Sequence, residues 1–160
     1  MSHDILTLIF QVAFQFITSF FATLFFSILF NAPKRLLIPC GVVGAVGWVV
    51  YYFTMQTMTS VGASFLGAFC LGAMAHLMAR YYKRPVIIFY VSGIIPLVPG
   101  GLAYDATKLM IIHDYTAALQ KSFEAMMISG AIAFALIVVE IIFQSYFKLR
   151  RRVQIYRNPI

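Results

Sequence analysis

The sequence predicts an all-α integral membrane protein of about five transmembrane helices, the fourth broken by prolines. Three observations carry that expectation. Hydrophobic residues fill 62% of the 160 positions and charged residues 11%, with a mean hydropathy of +0.89, against about half and about a quarter in a soluble domain. So few charges cannot cover a water-facing surface, and the Phe, Ile and Leu left over need lipid as their solvent. The apolar residues also fall into runs of about 20, the length that crosses a hydrocarbon core about 30 Å thick, and the basic clusters lie between or after these runs. Finally, Pro96, Pro99, Gly100 and Gly101 interrupt one such run, removing amide donors and loosening the chain.

The first span is expected over 5–30. It has no basic leader and is too long for a signal-peptide core, so it reads as a retained helix; Pro33, Lys34 and Arg35 stop it. A second span covers 36–55 and a neutral turn follows at 56–60. A third, 61–79, closes on Arg80, Lys83 and Arg84. Because that turn is neutral, spans two and three either cross fully or form a re-entrant hairpin. The fourth span covers 86–104 around its break. Residues 105–124 are the most polar stretch and read as an outer amphipathic helix, with Lys121 and Glu124 at helical spacing and Leu109, Ile112 and Leu119 apolar. The fifth span, 126–147, leads into a basic tail at 148–160. The whole chain is one transmembrane domain.

Lys and Arg collect in cytoplasmic segments. With the amino terminus outside, Lys34, Arg35, Arg80, Lys83, Arg84, Lys148, Arg150, Arg151, Arg152 and Arg157 fall inside, and only Lys108 and Lys121 outside. The same choice puts Asp4, Asp105, Asp114 and Glu124 outside. Trp48, Tyr51 and Tyr52 would mark the outer interface, and Tyr81, Tyr82 and Tyr146 the inner one. The net charge of +7 therefore reads as a topology signal in a bacterial cytoplasmic (inner) membrane. It does not read as a nucleic-acid surface.

Polar residues inside spans need protein or water beside them. Gln11, Gln15, Ser19, Thr23 and Ser27 recur every fourth position in the first span, either for helix packing or to line a transport path. Gln11 and Gln15 are the lining candidates. Gly41, Gly44 and Gly47, and Ser64, Ala68 and Gly72, allow close helix approach. His76 continues the latter stripe, as a hydrogen-bonded interfacial histidine or a proton relay.

The fourth span is the most informative. Pro96 and Pro99 should release the carbonyls of Ser92 and Ile95, and unpaired backbone at membrane depth is tolerated only in buried or wet surroundings. A half-helix starting near Gly100 would aim amide donors and a positive dipole end at a carboxylate, with Tyr104 and Asp105 close behind. The plainer alternative is a proline-terminated span and a turn at the interface. Glu140 lies within the fifth span, where an ionised carboxylate costs about 2.5–3.5 kcal/mol. No basic partner is evident at that depth. It is expected to be neutral, partnered from another subunit, or a proton-coupling site, and a second copy of the chain is one candidate partner.

No motif suggests a cofactor, and no cluster of acids, histidines or cysteines suggests a metal. Cys40 and Cys70 read as packing residues, and His113-Asp114 as a solvated pair. No enzyme activity is expected.

The run Ile94-Ile95-Pro96-Leu97-Val98-Pro99-Gly100-Gly101 with Tyr104, and Phe30-Asn31-Ala32-Pro33 after the first span, resembles the threonine/serine exporter family. The likeness is to its carboxy-terminal membrane half, found as a separate small subunit in the YjjB-type proteins. The resemblance implies export of small carboxylates or amino acids, threonine and serine in fused members and succinate in the two-chain type. It also implies a second membrane subunit carrying the other half; with the amino terminus outside and an odd number of spans, that half is expected to be inverted relative to this one. On this reading Pro96, Pro99, Gly100, Gly101, Tyr104, Asp105, Gln11 and Gln15 contact substrate, and Glu140 couples a proton. A non-transporting membrane scaffold is the alternative.

Overall fold

The computed structural model describes residues 2–157, with side chains described over 7–146. Asp4 and the basic side chains from Lys148 onward lie outside the described side chains. Every regular element among the described residues is helical. Helix α1 (Ser2–Leu29) ends where Asn31 turns left-handed at φ 56° and the Ala32 amide returns to the Ser27 carbonyl, a turn that a short polar side chain tolerates. A 3-10 turn (Lys34–Leu36) leads into α2 (Leu37–Thr54). Thr59 then caps α3 (Ser60–Tyr82), its hydroxyl accepting from the Gly62 amide. Lys83, left-handed at φ 52°, stops α3. Next come α4 (Ile87–Gly93), a 3-10 turn (Ile95–Leu97), α5 (Gly100–Ile111) and α6 (Tyr115–Arg157).

Four helical stretches are long and apolar enough to cross a membrane, and a bent pair, α4 with its 3-10 turn and α5, makes a fifth. The pair bends by 52° at the double proline. The second and third stretches, Lys34–Thr54 and Ser60–Tyr82, at 1.5 Å per residue are each long enough to cross alone, so no hairpin is required of them.

One boundary differs from expectation. Residues 105–124 do not form one outer helix. Residues 105–111 complete α5, and 115–124 already belong to α6. The chain turns at 112–114 because His113 adopts φ 63° and the Asp114 carboxylate caps α6, accepting from the Ala117 amide at 3.2 Å.

Helices α1, α2, α3, α6 and α5 pack in a row, each on the next, and α4 lies against α2, α3 and α1. Small residues bring the backbones together. Gly44 faces Thr23 with no room for a side chain, and a Cβ on Gly67 would sit 2.9 Å from the Gly47 carbonyl oxygen. Phe65 meets Phe134, Gly72 meets Val139 and His76 meets Phe143; the rising order on both sides makes α3 and α6 parallel. The bent pair therefore carries the chain back across the molecule between them. Val43, Leu71 and Phe89 are fully buried at the centre, whereas Phe14, Phe25, Phe134 and Ile141 point outward and exposed. That outward display is the pattern of a lipid-solvated surface.

Candidate functional site

The break is built by what the prolines remove. Pro96 has no amide, and among the described residues no backbone donor reaches the Ser92 carbonyl. The Ile95 carbonyl, expected free, is not: the Val98 amide bonds to it at 3.3 Å while also reaching Ile94 at 3.2 Å. The tighter 3-10 turn recovers the bond an α-helix would have lost. Leu97 is buried against the Gly67 face of α3 and anchors the break. Gly67 lies seven residues into α3, about 10 Å from its start, so the break sits nearer the α2–α3 turn than the other end.

Helix α5 starts with no side-chain cap. The Gly100 amide folds back on the Val98 carbonyl at 2.7 Å and the Ala103 amide bonds to Pro99. The Gly101 and Leu102 amides between them have no backbone partner among the described residues. Two donors thus remain at the positive end of a 12-residue helix.

The two faces of α5 separate the residues expected to act together. Pro99, Gly100, Ala103 and Thr107 line a cleft of about 450 Å³ opposite Ser122 and Ser129 of α6. The Thr107 and Ser122 hydroxyls donate to carbonyls of their own helices, so the cleft wall is largely apolar. Gly101, Tyr104, Asp105 and Lys108 are exposed on the other side. On α1, Gln15 accepts from the Trp48 indole N–H at 2.8 Å; Gln11 is exposed one turn earlier. Trp48 therefore spends its donor inside the bundle and not on headgroups. Ser19, Thr23 and Ser27 are buried, and the Ser19 and Ser27 hydroxyls return to α1 carbonyls.

A second polar centre joins α3, α4 and α6. Glu140 does have a basic neighbour in the same chain: His76 Nε2 lies 3.0 Å from its Oε2. The imidazole Nε2 makes no well-directed hydrogen bond there. The Gln144 amide donates to Oε1 at 2.7 Å and the Tyr90 hydroxyl to Oε2 at 3.5 Å. Stacking fixes the imidazole, which lies parallel to Phe143 at 4.5 Å and edge-on to Tyr90 at 5.8 Å.

Residues 15–142 match the family Threonine/Serine exporter, ThrE, a stretch that contains both the break and Glu140. The chain belongs to the threonine/serine exporter family. An uncharacterized protein of Haemophilus influenzae is 31% identical over 128 residues, covering 74% of this chain and 43% of that protein. The chain thus spans less than half the length of this relative. No solved structure matches. Membership marks this membrane chain as a protein of an exporter family.

Two other features of this exporter-family chain are structural. His113 pairs with the Tyr115 hydroxyl at 2.8 Å while Asp114 caps α6, so the two make no catalytic couple. Cys40 is buried with its thiol 3.7 Å from the Ile88 carbonyl oxygen. The neighbour of Glu140 that sequence reasoning missed is His76. The signal was the small-residue stripe from Ser64 to His76, which marked an interface; the parallel register of α3 and α6 decides which acid that interface receives.

Proposed function

We propose that this chain is the membrane subunit of a two-component exporter of small carboxylates or amino acids, with threonine and serine the first candidates and succinate-like dicarboxylates the second. The observation that carries the reading is the broken fourth span inside the family match, with two unbonded amides at the start of α5. Such donors suit a substrate carboxylate. Pro96 shapes the turn, Pro99 and Gly100 form one wall, and Gly101, Tyr104 and Asp105 offer an uncovered face. Gln11 and Gln15 lie on α1, which packs against the 3-10 turn of the break.

A second membrane subunit would complete the site over that uncovered face. The relative of more than twice the matched length supports a missing half. Glu140, with His76 beside it, would carry the coupled proton, and the amino terminus would lie outside. Vesicles holding this chain and its co-expressed partner should exchange labelled serine or threonine. Gly100→Leu, at a position with open space around it, should cut that exchange by about tenfold or more at unchanged membrane yield. Wild-type exchange by Gly100→Leu, or none of serine, threonine or succinate by the native pair, would overturn the reading.

A further inference from the structure

We propose that the end of the molecule opposite the α2–α3 turn holds one anionic phospholipid, its phosphate gripped by Lys34, Arg35 and Arg84 and an acyl chain laid along the α1–α4 seam. A cleft of about 400 Å³ there is lined by Lys34, Arg35, Tyr82 and Arg84. Its walls come from two separate connections, α1 to α2 and α3 to α4. Each is fixed by a left-handed residue, Asn31 at φ 56° and Lys83 at φ 52°, and by an amide returned to the preceding helix, Ala32 to Ser27 and Arg84 to Ala79.

Among the described residues no acid forms an ion pair with any of these three cations. Glu140 is taken by His76 and Glu124 by Lys121. Asp105 lies within α5 and Asp114 in the turn that follows it. Three like charges therefore converge without compensation. Lys34 and Arg35 also open the helical stretch Lys34–Thr54, where the dipole already disfavours a cation. A bound anion relieves both conflicts.

The adjoining seam selects a lipid over a free phosphate. Pro33 also lines a second cleft of about 290 Å³, walled by Phe30, Ile87, Ile88 and Val91. Phe30, Ile87 and Val91 are substantially exposed there. Charged and apolar clefts thus share a wall, as a phosphate joined to a hydrocarbon tail requires. Basic pockets between membrane helices are suited to anionic headgroups, and the Tyr82 ring fits the headgroup level. A free phosphate or a small carboxylate would leave the seam empty.

The test is retention of phosphatidylglycerol by the purified full chain, read by native mass spectrometry and by the melting temperature in neutral detergent. Phosphatidylglycerol should stay bound and raise the melting temperature; phosphatidylcholine and inorganic phosphate should not. Lys34→Gln, Arg35→Gln and Arg84→Gln should each weaken retention about fivefold. Val91→Trp, which fills the seam without altering charge, should weaken it too. A triple Lys148→Gln, Arg150→Gln, Arg151→Gln variant, which removes three charges from the tail, should retain the lipid. Equal loss in that tail variant would mean diffuse attraction and overturn the proposal. So would inorganic phosphate stabilising as well as the lipid, displacement of the lipid by serine, threonine or succinate, or no lipid held by the native chain.

Discussion

An ionised carboxylate inside a span costs about 2.5–3.5 kcal/mol, and Glu140 is surrounded by three side chains from two other helices and its own. His76 supplies potential charge, while Tyr90 and Gln144 supply hydrogen bonds. The partners predict unequal variants. Glu140→Gln keeps an acceptor for Tyr90, so folded yield should stay near native. If the pair carries the coupling proton, uphill export should be lost while serine exchange persists; unchanged uphill export would remove Glu140 from that role. His76→Ala loses the Phe143 stacking and the imidazole beside the acid, and should destabilise by about 1–3 kcal/mol in thermal unfolding. The double variant should recover part of that loss, since the carboxylate is gone. Glycines divide in the same local way. Gly44→Val would drive a side chain into Thr23, whereas Gly130 has open space around it. Gly44→Val should cost about 1–3 kcal/mol and Gly130→Ala almost nothing, a difference that melting curves in detergent would show. The packing role of Gly44 was legible from spacing alone. The partner of Glu140 was not, because spacing within one helix carries no information about its register against another.

Each helix end has a physical punctuation, and legibility followed how conspicuous that punctuation is. Pro33, the Lys83-Arg84 cluster and the double proline announce themselves in the sequence, and the breaks fall there. The α5–α6 turn has neither glycine nor proline: His113 takes the left-handed turn and Asp114 caps α6. The polar residues Gln120, Lys121 and Glu124 then imitate a surface helix although they belong to the same rod as Glu140. Around the break the sequence signal was the loss of amides, but a 3-10 turn recaptured one of the two carbonyls expected free. What stays open is the start of α5. Gly101 is exposed with nothing within contact of an added side chain, whereas Leu97, four residues earlier, is 4% exposed. In native membranes Gly101→Cys should therefore react readily with a water-soluble maleimide, and Leu97→Cys should be protected. Equal protection of both would mean that lipid or dry packing seals the break.

At the scale of the whole molecule, the row α1-α2-α3-α6-α5 is an open layer, with α4 stacked beside α2. An open layer exposes far more apolar side chain than a closed bundle, from Phe10 on α1 to Ile142 on α6, and lipid or a second subunit must cover it. The parallel pairing of α3 and α6 adds a topological constraint. Both run from the α2–α3 turn end toward the basic end, so the bent α4–α5 pair must count as a full return crossing. With the pair as a fifth span, the start of α1 and the end of α6 would lie on opposite sides. The choice between the two orientations then rests on charge: the basic end gathers Lys34, Arg35, Arg80, Lys83 and Arg84 from two connections and five more cations from the tail, against Lys108 and Lys121 at the other end. Lys and Arg near span ends favour the cytoplasm. A fluorescent protein fused after residue 160 should therefore fold and fluoresce, while alkaline phosphatase fused there should be inactive and the same enzyme inserted at the 56–59 turn active. Exchanging Lys34, Arg35, Lys83 and Arg84 for Gln should weaken that bias and yield mixed reporter signals. A carboxy-terminal phosphatase active in the native chain would reverse the orientation, and with it the inverted arrangement expected of a partner half.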